Sequence, residues 1–184
     1  MTLLVLGVAL WWAAHLFKRL APGRRAALGT KGYPVVAVTL LLSVLLMVLG
    51  YRDAGGTVYW GRDPMWVGIN NLLMIVAFYF YAASAAQGQK IWLGTKVRHP
   101  QLTGFSIWAI AHLLVNGDTP SFILFGGLLA WAVVEVLVIN AQEGPWERPE
   151  RAPAAKEVVS IIITLGVVCV VMFIHYLLGV TPWG

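Results

Sequence analysis

The sequence predicts an all-α fold, a polytopic membrane helical bundle of about six transmembrane helices with both termini on the outer side. Three observations predict it. Of the 184 residues, 59% are hydrophobic and only 11% are charged, far from the quarter-charged makeup of soluble domains. Six apolar runs approach the roughly 17 to 25 residues that a helix needs to cross a ~30 Å hydrocarbon layer. The lysines and arginines gather in alternate loops, as the preference of positive charge for the cytoplasmic side requires of a chain that crosses repeatedly. Because the charges are confined to short segments between the runs, residues 1–184 read as one membrane domain rather than a soluble domain with an anchor.

The first run, about Leu3 to Leu20, lacks a positive segment ahead of it, carries its charges behind it and has no cleavage site, so it reads as a retained helix rather than a cleaved signal. The others lie at about Pro34 to Tyr51, Pro64 to Ala86, Pro100 to Val115, Pro120 to Asn140 and Glu157 to Val180. Proline suits the first helical turn, where its missing N–H has no intrahelical partner anyway. Asp63-Pro64 and Thr119-Pro120 read as cap-then-proline starts, and Asn116-Gly117-Asp118-Thr119-Pro120 as a short turn between the fourth and fifth helices. The small residues Ala82 to Ala86 suit close helix contact.

Lys18, Arg19, Arg24, Arg25 and Lys31 fall in the first loop, Lys90, Lys96 and Arg98 in the third, and Arg148, Arg151 and Lys156 in the fifth. Only Arg52 and Arg62 remain for the opposite side, which therefore holds both termini and is periplasmic in a Gram-negative bacterium. The net charge of +5 sits at helix ends rather than along a continuous face, which argues for a lipid bilayer and against nucleic acid as the partner. Cys169 is the single cysteine and lies within an apolar run. No intrachain disulfide, cysteine metal motif or covalent haem attachment is therefore available.

Ionisable side chains at membrane depth are costly and mark candidate function. There are five: His15, His99, His112, Glu135 and His175. The topology puts His15 and His99 in an inner layer and His112 and His175 in an outer one. His112 lies about 20 Å along the helix from His99 and roughly 140° around it, so these two cannot ligate one iron. Glu135, level with His99, is placed to neutralise Arg98 or orient His99, as carboxylates do for ligating imidazoles; a plain helix–helix hydrogen bond explains it equally. Two neutral imidazoles from different helices among apolar side chains form a natural axial pair for haem b, whereas zinc would lack a fourth ligand. Trp60, Trp66, Trp92, Trp146 and Trp183 fall near the helix boundaries. Trp11, Trp12, Trp108 and Trp131 lie within the spans, where they either line a flat apolar cavity or simply pack.

Arg98-His99-Pro100, Trp108-Ala109-Ile110-Ala111-His112-Leu113-Leu114-Val115-Asn116-Gly117-Asp118 and Phe125-Gly126-Gly127 together resemble the NnrU family. Its marks are an Arg-His-Pro segment, a Trp-Ala-x-Ala-His-Leu-Leu-x-Asn-Gly-Asp segment and a Phe-Gly turn into the next helix. His15, Arg24 to Leu28, Gly32-Tyr33 and His175 to Val180 extend the resemblance over nearly the whole chain. It implies an inner-membrane protein linked to denitrification, supporting nitrite and nitric oxide reduction, with a membrane respiratory complex as a possible partner. The related 15-cis-zeta-carotene isomerases use haem b with histidine ligands on an apolar polyene. By that relation His15 and His99 are the expected iron ligands, with His112 the main rival. The isomerases carry a cysteine just before Arg-His-Pro, and Gly94 to Val97 has none. Arg98-His99-Pro100 and Gly104 also resemble a segment of membrane methyltransferases that holds S-adenosylmethionine. Their later paired glutamates are missing, since Glu143 to Glu157 is broken by Pro145, Pro149 and Pro153 and reads as an exposed loop.

Overall fold

The computed structural model describes residues 1–85 and 88–183. In chain order the helices are α1 (Thr2–Leu20), α2 (Pro22–Ala27), α3 (Gly32–Asp53), α4 (Pro64–Ala85), α5 (Pro100–Val115), α6 (Thr119–Ser121), α7 (Gly127–Glu143) and α8 (Ala154–Leu177). A π-helical turn, Phe122–Gly126, joins α6 to α7, and short strands β1 (Val58–Trp60) and β2 (Gly117–Asp118) pair with one another. The fold is all-α apart from that ladder. Ala86, the expected end of the third helix and of the small-residue run, lies outside the described residues.

Among the described residues, five helices are long and apolar enough to cross a membrane: Thr2–Leu20, Gly29–Asp53, Pro64–Ala85, Thr119–Glu143 and Ala154–Leu177. The fourth expected span, Pro100–Val115, has the expected limits but only 16 residues, about 24 Å of helix, and is a shorter apolar helix. The exposed surface explains what solvent these helices need. Leu41 on α3 is 71% exposed and Ile162 on α8 is 63% exposed, while Ser43 and Ser121 are wholly buried. Apolar groups outside and small polar groups inside suit lipid, not water.

The contacts cluster into two compact units, residues 1–59 with 117–142 and residues 60–116 with 143–184. In the first unit α1 packs against α3 through glycine. A Cβ on Gly50 would stand 2.7 Å from Leu4 Cα, and one on Gly7 would stand 2.8 Å from the Met47 nitrogen. Leu4 opposite Gly50 and Gly7 opposite Met47 make the two helices antiparallel, and Ser43 Oγ donates to the Gly7 carbonyl at 3.0 Å. Asp118 caps the fifth span by accepting from Ser121 N at 2.8 Å. The sequence had pointed to Thr119, but its hydroxyl instead accepts from Thr57 N at 3.2 Å, so the cap falls to the carboxylate one residue earlier.

In the second unit α4 packs against α5 and α8. A Cβ on Gly104 would stand 2.7 Å from the Ala77 carbonyl oxygen, and Trp60 Nε1 donates to the Leu113 carbonyl at 3.1 Å. Those two registers make α4 and α5 antiparallel. Glu157 ties three segments together, accepting from Tyr79 OH and, at 2.8 Å, from Trp92 N, and as a carboxylate in the first turn of α8 it suits that helix's positive end. The stretch from Gly144 to Pro153 is non-helical, as the prolines predict, with a single bridge between Lys90 and Arg151. Here α8 starts at Ala154, three residues before the expected Glu157, because Pro153 serves as its N-cap.

Candidate functional site

The densest chemistry in the first unit surrounds His15. Residues four apart share a helix face, and His15 Nδ1 lies 3.0 Å from the Trp11 carbonyl oxygen. A carbonyl oxygen only accepts, so Nδ1 carries the hydrogen and Nε2 keeps its lone pair. Two indoles bracket the imidazole. Trp11 lies 4.3 Å from it between ring centroids and Trp131 lies 4.5 Å from it, and the two indoles meet edge to face at 5.3 Å.

Trp131 reaches His15 because of the π-helical turn before it. Each residue added to a helical turn rotates everything beyond it by about 100°, so the turn at Phe122–Gly126 sets which face of α7 meets α1. Trp12 Nε1 locks that phase by donating to the Gly127 carbonyl at 3.0 Å. Glycine is needed there, since a Cβ at 127 would stand 2.9 Å from Val8 Cγ1. One turn beyond Trp131 comes Glu135, only 8% exposed. Its Oε2 has no hydrogen-bond partner among the described residues, and Arg19 is a positive charge that acts on it. A buried carboxyl oxygen without a donor is costly.

Arg98, His99, His112 and His175 all belong to the second unit. Arg98 Nη1 donates to the Gly144 carbonyl at 2.7 Å, and Nη2 lies 3.8 Å from Glu143 Oε2. Glu143 thus stands beside Arg98 as a counter-charge. His99 is the N-cap residue of α5, ahead of Pro100, and its carbonyl accepts from both Thr103 N and Thr103 Oγ1. His112 Nδ1 lies 2.9 Å from the Trp108 carbonyl and its ring lies 4.9 Å from the Trp108 indole. His175 Nδ1 lies 2.8 Å from the Val171 carbonyl. His175 is one of the groups that act electrostatically on His112. The Trp-x-x-x-His arrangement occurs twice, Trp11 with His15 and Trp108 with His112, with the same tautomer each time.

Among the described residues no three His, Cys, Asp or Glu side chains converge as a site for a bare metal ion. A haem iron asks a protein for only one or two axial donors. His15 fits that need: its ring is oriented by a backbone carbonyl, its Nε2 is a neutral donor, and its walls are aromatic.

The family model described as NnrU protein matches residues 3–182. The chain belongs to the NnrU family. No curated protein and no solved structure matches it. The match covers both units of this NnrU chain, including every candidate residue above. Three features of the NnrU fold were not read from the sequence: the π-helical turn, the Trp12–Gly127 bond and the bracketing of His15 by Trp11 and Trp131. The four-residue spacing of Trp11 and His15 was the available signal for the last of these.

Proposed function

We propose that this NnrU protein binds haem b in the bacterial inner membrane and supports nitrite and nitric oxide respiration, by handling haem or electrons for a membrane respiratory complex. The observation that carries the proposal is the His15 imidazole, fixed by the Trp11 carbonyl with Nε2 as donor between two indoles. By the family pattern His15 and His99 are the residues that would hold the haem; His112, which shares the tautomer of His15, is the rival. Haem would supply one-electron chemistry. The protein's part is to orient the imidazole and exclude water around it. Glu135 and Arg19 then set the charge beside the site.

The proposed topology has six crossings, with both termini outside. Support comes from the first unit. Val8 and Trp12 meet Gly127, His15 meets Trp131, and the Arg19 carbonyl accepts from Gln142 Nε2, so α1 and α7 run parallel. Thr119 N donates to the Thr57 carbonyl at 3.0 Å, which holds the end of α3 beside the start of the fifth span. A chain that leaves through α4 must then return through α5, despite the shortness of that helix.

A second reading, haem-dependent isomerisation of an apolar polyene, draws on the flat aromatic walls formed by Trp11 and Trp131. The two are separated by complementation of a denitrifying bacterium that lacks its own NnrU gene. Wild-type protein should restore nitrite consumption and the His15→Ala variant, present at equal membrane abundance, should not. Equal restoration by both would contradict the proposal, and S-adenosylmethionine retained by the purified protein would favour a methyltransferase instead.

A further inference from the structure

A cavity of about 580 Å³ is lined by Trp60, Gly61, Arg62, Asp63, Met65, Trp66 and Leu114, all in the second unit. It opens where α4 begins, immediately before a membrane-spanning run, the depth at which tryptophans meet lipid headgroups. Its volume is in the range of small-molecule sites. Arg62 and Asp63 are neighbours in sequence, yet neither has an ion-pair partner among the described residues. Both are oriented by other bonds. Arg62 Nη2 donates to the Thr181 carbonyl at 2.6 Å, which leaves its other N–H groups for a ligand. Asp63 Oδ1 accepts from Met65 N at 2.9 Å, which leaves Oδ2. Trp60 is held by its bond to the Leu113 carbonyl.

A fixed cation and a fixed anion side by side, flanked by two indoles, complement a ligand that carries one charge of each sign. We infer that this cavity binds the headgroup of a zwitterionic phospholipid with a primary ammonium, phosphatidylethanolamine. The phosphodiester lies on Arg62, through charge-assisted hydrogen bonds. The ammonium donates to Asp63 Oδ2 and rests against Trp60 and Trp66, whose faces attract cations. The remaining volume takes the glycerol ester. A primary ammonium is favoured over choline because Asp63 needs an N–H donor, and an anionic headgroup is disfavoured because it would set like charges together.

The test is native mass spectrometry of the full chain in detergent, with equimolar short-chain phosphatidylethanolamine, phosphatidylglycerol and phosphatidylcholine. The wild type should retain phosphatidylethanolamine over phosphatidylglycerol by about tenfold, the scale of one charged hydrogen bond. Asp63→Asn keeps an oxygen to cap Met65 N, so the fold is retained, and it should bring that preference to near parity. Arg62→Gln should weaken retention of all three lipids. No preference in the wild type, or a preference unchanged in both variants, would overturn the site. Equal retention of phosphatidylcholine would overturn the role given to Asp63.

Discussion

Replacing His15 with alanine should strip the purified protein of haem. The loss should exceed the roughly 10- to 100-fold that follows removal of a hydrogen-bond partner behind a metal ligand, because His15 is the donor itself. His99→Ala should leave at most a five-coordinate, high-spin remnant. His175→Ala should leave the haem intact. Glu135→Gln preserves shape and should keep the haem bound while altering its surroundings. Free imidazole added to His15→Gly should restore the low-spin form, which separates loss of a ligand from loss of the fold. If haem survives His15→Ala and disappears with His112→Ala, the ligand assignment is wrong.

The second large effect concerns the interface between α1 and α3. Gly50→Ala should destabilise the protein by about 2–3 kcal/mol, the upper part of the range for overpacking, because the added methyl meets the backbone of Leu4 and backbone cannot rotate away. Gly166 on α8 has open space where a Cβ would be built. The same substitution there should cost nothing, since alanine is the better helix former. Unfolding in mixed detergent micelles measures both. Equal stability of the two variants would mean that α1 and α3 do not meet through Gly50.

How much of this was legible in the sequence depended on the kind of signal. The limits of α5 were readable because Pro100 opens it and Asn116-Gly117 closes it. The start of α8 was missed by three residues because the acidic residue there, Glu157, looked like a boundary while Pro153 was acting as one. The π-helical turn left no trace. In an all-apolar run there is no polar stripe whose phase could shift, so nothing in Phe122 to Gly127 announces an extra residue. The same reason hid the meeting of Trp131 with His15, which depends on that phase. The candidate histidines and Glu135 were readable one by one, since charge and imidazole are rare at membrane depth. Their neighbours across helices were not, because register between apolar helices is set by glycines such as Gly7, Gly50 and Gly104, whose role appears only when the opposing backbone is known. Asp63-Pro64 read as an ordinary helix start, and only the cavity lined by Trp60, Arg62 and Trp66 sets Asp63 apart.

Haem binding by this NnrU protein is the proposal on which the ligand roles of His15 and His99 depend. Its most direct test is the absorption spectrum of the detergent-purified wild type, expressed with ample haem, in the ferric state and after dithionite reduction. Low-spin bis-histidine haem should give a Soret band that shifts on reduction, with sharp α and β bands. A protein that is folded, haem-supplied and colourless in both states would contradict the proposal.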